Sequence, residues 1–156
     1  MVIHLTDMQV VKDFFITDKK LFMTCMPDDD VRQFQEKTWY PNKNTIYLGY
    51  YKEDKLISIM RCDMITNITR SLHMYLKSEY WGKDLSHHIC EEQIKKIHEI
   101  TKCLKVLVEV PDCCEQVIKT ALKLGFIGEG YLNKSILWRG KLHGIYILSK
   151  FINRSQ

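Results

Sequence analysis

The segment from Leu76 to Leu85 constrains the fold most, because a β-rich run leads through a glycine turn into a long amphipathic helix. Its sequence is Leu-Lys-Ser-Glu-Tyr-Trp-Gly-Lys-Asp-Leu, in which Gly82 is free to adopt backbone conformations that other residues avoid. The first amides of a helix have no partner within it, and the helix dipole is positive at that end. A strand, a tight turn and a helix in this order therefore predict a site for an anion such as a pyrophosphate.

Size and charge narrow the class of protein. A chain of 156 residues with 46% hydrophobic residues can bury a substantial core, and we expect one domain over residues 1–156. The net charge of +4 is small, and the Lys and Arg residues are spread along the chain rather than clustered. This distribution argues against a nucleic-acid partner, whereas it suits a phosphate-rich ligand.

Two features of the sequence bear on its location. Residues 1–11 contain His4, Asp7 and Gln9 and so lack the apolar stretch of a secretion signal, and no apolar run is long enough to span a bilayer. We therefore expect a cytoplasmic protein with no membrane partner. The six cysteines include no Cys-x-x-Cys pair, which predicts reduced thiols that mostly pack as small hydrophobic side chains.

Hydrophobic periodicity predicts an alternation of strands and helices. Strands are expected at residues 2–5, 45–51, 56–66, 71–76, 104–110, 131–138 and 144–149. Helices are expected to begin near Met8, Asp28, Leu85 and Cys114, and Gly125 ends the last of them. The order β-α-α-β-β-β-α-β-α-β-β predicts an α/β (α+β) protein, with a mixed, mostly antiparallel sheet of six to seven strands flanked by about four helices.

This order and three short sequences resemble the GNAT acyltransferases over residues 72–150, about half of the chain. The first is the Leu76–Leu85 segment, whose Tyr-Trp-Gly-Lys resembles the form found in ribosomal-protein N-acetyltransferase relatives. The second is Leu-Gly-Phe at residues 124–126, where the family closes the helix after its fifth strand. The third is Glu-Gly at residues 129–130, which leads into the two final strands. The resemblance implies a GNAT-like fold over the whole chain.

The resemblance also implies an activity and a cofactor site. It implies an acetyl-CoA-dependent N-acyltransferase that passes an acetyl group directly to an amine, either a protein N-terminus or a small amine. In the family, the strand before the glycine turn separates from its neighbour and binds the pantetheine arm, while the turn holds the pyrophosphate. The cofactor-binding residues implied here are Leu76, Lys77, Trp81, Gly82, Lys83, Asp84 and Leu85.

Asp84 departs from the family pattern, which has Gly or Ala at this position. A carboxylate next to a pyrophosphate is repelled by about 1 kcal/mol per charge pair at 4 Å in water. At the start of a helix, however, the dipole favours the same carboxylate by about 0.3–1 kcal/mol. Acetyl-CoA binding is therefore expected only if the Asp84 side chain points away from the turn.

Amine acylation requires a group that takes a proton from the acceptor. His73 on the fourth strand and Glu109 on the fifth are the candidate catalytic bases, because both strands border the expected gap. The alternatives are that His73 is a hydrogen-bonded strand residue and that Glu109 is a solvated strand end.

Two family positions are altered in the helix that precedes Gly125. The resemblance places a proton-donating Tyr where this chain has Ala121, and an Asn at the start of the helix where it has Cys113 or Cys114. Tyr131 and Tyr146 are alternative donors, although tyrosines in strands usually serve packing. The two thiols would be reactive if the helix N-terminus lowered a pKa, and otherwise inert.

We expect no metal site. His87 and His98 share a helical face, but eleven residues correspond to about 16 Å along the axis, too far for two ligands of one ion. His87 and Glu91 alone supply too few ligands.

A second function class follows from the altered positions. A catalytically inactive GNAT-fold protein that serves binding or assembly is favoured by Asp84, Ala121 and the missing Asn. Such a protein would act as a homodimer or with an assembly partner. The stretch Val-Pro-Asp-Cys at residues 110–113, with the later Gly-Phe and Glu-Gly, also resembles compact GNAT-like proteins encoded by bacteriophages.

Overall fold

The computed structural model describes residues 1–25 and 43–152, so the helix expected near Asp28 lies outside the described residues. None of the helices in these two ranges is long and apolar enough to cross a membrane. The elements are β1 (Val2–Leu5), α1 (Met8–Ile16), α2 (Lys19–Cys25), β2 (Thr45–Lys52), β3 (Lys55–Met64), β4 (Thr69–Leu76), α3 (Ser86–Thr101), β5 (Lys105–Pro111), α4 (Glu115–Lys123), β6 (Ile127–Trp138) and β7 (Lys141–Phe151).

The strands form one sheet of seven, in the order β1-β2-β3-β4-β5-β7-β6. The pair β4 and β5 is parallel, and the other neighbouring pairs are antiparallel. The predicted hairpin between β2 and β3 is present, and its central residues Glu53 and Asp54 both have positive φ, as the tightest hairpin turns require. The predicted mixed, mostly antiparallel sheet is therefore confirmed.

The two faces of the sheet are covered by different helices. Alternate strand residues share a face, and one face carries Leu48, Met60, Leu72, Val106 and Leu148 against Cys90, Ile94 and Ile97 of α3 and Ala121 of α4. We call this the α3 face. The opposite, α1 face carries Tyr47, Ile59 and Tyr75 against Val11, Phe14, Phe15 and Leu21. Each fully buried side chain of this size contributes about 1.5–3 kcal/mol.

Helix α1 begins where the sequence predicts, with Asp7 as its N-cap accepting a 2.9 Å hydrogen bond from the Gln9 amide. It ends at Ile16, where the Thr17 amide donates to the Asp13 carbonyl at 3.0 Å. Asp18 caps α2 by accepting from the Leu21 amide at 3.0 Å, and it also accepts from the Ser78 amide at 2.7 Å and the Ser78 hydroxyl at 3.0 Å. The turn between α1 and α2 is thus attached to the chain just after β4.

Asp18→Ala is expected to lower the free energy of unfolding by about 2 kcal/mol, because the cap is lost and the Ser78 amide loses its acceptor. Burial alone would raise the pKa of Asp18, but the bonds from Leu21 and Ser78 and the Lys77 charge outweigh it and hold the pKa below its usual 3.8. The stabilisation is therefore present above pH 3.8 and is lost as the pH falls through the folded-state pKa.

Urea unfolding at pH 7 and in acid measures this difference. Asp18→Asn keeps one acceptor oxygen for the cap of α2 but turns its NH2 group toward the Ser78 amide, so its stability should lie between those of the wild type and the alanine variant. Equal stability of the alanine and asparagine variants would show that the cap contributes nothing.

Candidate active site

The parallel strands β4 and β5 pair only where they begin. Thr69 pairs with Lys105, Arg70 with Val106 and Ser71 with Leu107. Past this point β4 remains bonded to β3 as far as Leu76, and β5 remains bonded to β7 as far as Pro111. The carboxyl-terminal halves of the two strands are therefore not bonded to each other, and this leaves an opening in the sheet between them.

The backbone of β4 presents polar groups to this opening. The Lys77 amide donates to the Ile57 carbonyl at 2.9 Å, so odd-numbered residues of β4 bond to β3. The alternation of an antiparallel ladder then directs the amide and carbonyl groups of Met74 and Leu76 into the opening. The Leu76 carbonyl accepts a 2.8 Å bond from the Trp81 indole nitrogen. Of the two backbone amides at Leu76 and Lys77, only that of Leu76 is therefore free to donate a hydrogen bond into the opening, since the Lys77 amide is bonded to Ile57.

Lys77 and Trp81 fix the turn from the side of α1. Lys77 Nζ donates to the Phe14 carbonyl and, at 2.7 Å, to the Thr17 hydroxyl. The Trp81 ring packs on the α1-face core, with Lys20 Nζ 5.1 Å from its centroid. Both side chains are thus directed toward α1 and α2, and they hold the end of β4 in position.

The turn leads to a helix start with unpaired amides. Gly82 has φ +71, and a Cβ built on it would meet no atom within 4 Å. The Leu85 amide donates to the Lys83 carbonyl at 2.7 Å, and the first helical bond runs from Ile89 to the Leu85 carbonyl at 3.1 Å. Within the described ranges, the amides of residues 82–84 and 86–88 have no acceptor. These amides form the positive end of α3.

The Asp84 side chain is exposed and accepts no hydrogen bond from any described residue. Lys83 is exposed as well, with Nζ 5.1 Å from the Tyr80 ring centroid. The carboxylate therefore does not cap the amides of the turn.

His73 and Glu109 lie on opposite sides of the opening. Ser71 pairs with Leu107, and the next residues on the same face are His73 on β4 and Glu109 on β5. This is the α1 face, where His73 stands directly across from Arg61 of β3. Both candidate bases therefore border one cleft, and Glu109 is exposed.

Charged neighbours tune His73. Its Nε2 is 3.9 Å from Asp63 Oδ2, and Asp63 is bound by Arg61 at 2.8 Å and by the Thr45 hydroxyl at 2.7 Å. Desolvation lowers the pKa of His73 and Arg61 lowers it further, while Asp63 and Glu109 raise it, with a net value below 6.5. The imidazole is therefore neutral at pH 7 and can accept a proton.

Arg61 and Asp63 were not among the residues predicted from the sequence. Their alternation on β3 was visible there, but their position opposite His73 depends on the strand register.

The proton donor of the family pattern has no counterpart at Ala121, which is buried in the core. The Tyr131 hydroxyl donates to Asp112 at 2.9 Å, an interaction that raises the Tyr131 pKa. The Tyr146 ring lies 4.9 Å from the Tyr131 ring and is 40% exposed. Tyr131 is thus already bound to a carboxylate, which makes it a poor donor to a thiolate.

The thiols at the start of α4 differ in exposure. Cys114 is the N-cap residue, and burial together with the neighbouring Cys113 raises the pKa of Cys114 to about 11. The helix N-terminus therefore does not activate Cys114, contrary to one of the two alternatives considered from the sequence. Cys113 is exposed.

The sequence matches no protein-family model and no curated protein. Solved structures do match the fold, and their identities to this chain are below 20%. A ribosomal-protein-S5-alanine acetyltransferase from Vibrio fischeri is 17% identical, with a TM-score of 0.77 over 99% of this chain and 94% of the other. A spermidine N-acetyltransferase from Vibrio cholerae, in complex with CoA and spermine, is 11% identical, with a TM-score of 0.78 over 97% and 94%.

The microcin C7 self-immunity acetyltransferase, in complex with acetyl-CoA and AMP, is 18% identical, with a TM-score of 0.73 over 97% of this chain and 92% of the other. The names of these proteins give no support to the resemblance to bacteriophage proteins. The solved structures of these proteins do confirm the architecture that the sequence predicts. The chain has the fold of the GNAT acetyltransferases.

Proposed function

We propose that this protein is an acetyl-CoA-dependent N-acyltransferase that transfers an acetyl group to an amine by direct transfer. The observation that carries the proposal is the opening between β4 and β5, which ends at the unpaired amides of the Gly82 turn. The Leu76 amide is positioned to bind the pantetheine arm, and the amides of residues 82–84 and 86–88 are positioned to bind the pyrophosphate. Two of the structures of similar fold hold CoA or acetyl-CoA.

The chemistry requires a neutral amine near the thioester. His73 takes a proton from the acceptor ammonium, because its imidazole is uncharged at neutral pH. The amine nitrogen then forms a bond to the acetyl carbon as the carbon–sulfur bond breaks. Since the family's donor position is Ala121, the proton that the new amide nitrogen gives up passes through water to the leaving thiolate, which becomes the free thiol.

The acceptor is proposed to be a cationic amine, either a protein N-terminus or a small amine. Asp63 is paired with Arg61 at 2.8 Å, whereas Glu109 is exposed on the other side of the opening and supplies a carboxylate near His73. That charge favours an ammonium group over a neutral or acidic acceptor. The similar structures named for spermidine and for a ribosomal-protein alanine are consistent with both kinds of acceptor.

Isothermal titration with acetyl-CoA tests the proposal directly. Saturable heat with a micromolar Kd is expected, followed by release of free thiol when spermidine or a peptide with an N-terminal alanine is added. Absence of heat at millimolar acetyl-CoA would overturn the transferase assignment.

A second candidate function, binding or assembly without catalysis, is favoured by the outer strand. Strand β6 lies at the edge of the sheet, and its residues 127–135 are exposed, including Ile127, Tyr131 and Leu132. A long exposed edge with apolar side chains is a surface that another chain can pair with. Sedimentation showing a dimer or larger assembly, together with no acetyl-CoA binding, would select this function.

Asp84→Asn is expected to tighten acetyl-CoA binding about fivefold, because the substitution removes about 1 kcal/mol of repulsion from the diphosphate. Titration calorimetry at low salt measures the gain. The gain should shrink at 0.5 M salt, where the exposed carboxylate of the wild type is screened. A gain that is independent of salt, or weaker binding by the variant, would show that Asp84 does not oppose the diphosphate.

A further inference from the structure

Three side chains of different donor type meet at the carboxyl end of β5. Asp112 and Cys113 follow β5 directly, and His143 lies on β7. Their carboxylate oxygen, thiol sulfur and ring nitrogen all lie within 4.8 Å of one another. The last strand was expected to begin at residue 144, but β7 begins at Lys141 and so includes His143, which it brings to Asp112.

Asp112 is held so that one oxygen remains directed at the cluster. Its Oδ2 accepts from the Tyr131 hydroxyl at 2.9 Å and from the Gly144 amide at 3.0 Å. Its Oδ1 lies 2.8 Å from His143 Nδ1. Both oxygens therefore have protein partners, and the hydrogen bond between Oδ1 and His143 is the one that a bound ion would replace.

A tetrahedral ion would require side-chain movements, since separations of up to 4.8 Å would have to shorten. Zinc bonds of about 2.0–2.1 Å to nitrogen and oxygen and about 2.3 Å to sulfur place the donor atoms about 3.3–3.6 Å apart. The Asp112–His143 separation of 2.8 Å would have to widen by about half an ångström. Magnesium and calcium prefer all-oxygen sites, whereas a thiolate with an imidazole selects zinc.

We propose that Asp112, Cys113 and His143 bind a zinc ion, with water in the fourth position on the exposed side of Cys113. The Cys113 thiol releases its proton to solvent as its sulfur binds the ion. The ion would join the β5–α4 connection to β7. It lies outside the groups assigned to acetyl transfer, and the proposal does not depend on that activity.

The surroundings of Asp112 serve as an outer support for the site. A Cβ at Gly144 would lie 2.0 Å from the Tyr131 hydroxyl oxygen. The hydrogen bond from the Tyr131 hydroxyl to Asp112 therefore requires glycine at position 144. Outer groups that orient a metal-binding carboxylate contribute about 10–100-fold to affinity. Tyr131→Phe should therefore weaken zinc binding by about that factor.

The test uses the full chain, freed of metal by a chelator and then titrated with zinc in competition with a chromophoric chelator. One ion per chain is expected. Cobalt substitution should give a thiolate-to-cobalt absorption band together with the intense visible bands of tetrahedral cobalt. Cys113→Ser should abolish the thiolate band, and His143→Ala should weaken zinc binding more than Tyr131→Phe does. Cys114→Ser is the matched control and should retain both the band and the affinity.

Thermal unfolding without metal shows whether each variant is folded, and His143→Gln replaces His143→Ala if the latter is not. Zinc should raise the Tm of the wild type and leave that of Cys113→Ser unchanged. Absence of stoichiometric binding would overturn the site. Equal zinc affinity in the wild type and in both ligand variants would place the ion elsewhere and would overturn it equally. Both readouts are made without acetyl-CoA, so their failure is distinct from failure of the transferase proposal.

Discussion

His73→Ala is expected to lower kcat for acetyl transfer by about 100-fold, because a positioned general base typically contributes about 10²–10⁴-fold. The pH profile gives the more specific result. Since desolvation and Arg61 hold the pKa of His73 below 6.5, wild-type kcat/KM should be flat near neutral pH and fall in acid as the imidazole gains a proton. The alanine variant should lose that acidic limb.

Two further variants separate the base from its surroundings. His4 is exposed on β1, away from the cleft, so His4→Ala should leave both kcat and the profile unchanged. Arg61→Gln removes a charge that lowers the His73 pKa, and the acidic limb should therefore move to higher pH. If His73→Ala keeps the limb and Glu109→Gln loses activity instead, Glu109 is the base and the assignment to His73 is wrong.

Sequence patterns predicted the elements that depend on local chemistry. Strands β2 to β5 follow from alternation of apolar residues, and the start of α3 follows from the glycine turn, with an error of one residue at Ser86. The beginning of β6 was missed, because Gly128 and Gly130 have low β propensity and the register shifts between them. This segment is a strand because it pairs with β7, and the sequence of the segment itself does not predict that pairing.

The rest of the candidate site depends on contacts between distant residues. Asp18, the cap of α2, is bonded to Ser78, which is 60 positions away. Asp112 and His143 are 31 positions apart and meet only because β5 pairs with β7. His73 could be named from the sequence, but its low pKa comes from its own desolvation and from Arg61 on β3. Hydrophobic periodicity does not predict that Arg61 lies next to His73, since that depends on which residues of β3 and β4 are paired.

Gly82→Val is expected to weaken acetyl-CoA binding by about 10–150-fold. The loss of a single amide bond to a charged phosphate costs about 1.5–3 kcal/mol, which corresponds to that range. The free protein has room for the side chain, since a Cβ at Gly82 meets no atom within 4 Å, so the new atoms would occupy the space that the diphosphate must enter. Titration calorimetry with acetyl-CoA measures the loss.

Gly140→Val separates this steric effect from backbone strain. Gly140 has φ +74, close to the +71 of Gly82, and its Cβ would likewise meet no atom within 4 Å, but it lies in the turn between β6 and β7. Both variants should lose similar amounts of stability, since a side chain at positive φ costs about 1–2 kcal/mol in either turn. Only Gly82→Val should lose acetyl-CoA affinity. Equal loss of affinity in both would mean that strain is responsible, and the amides after Gly82 would then not be the diphosphate site.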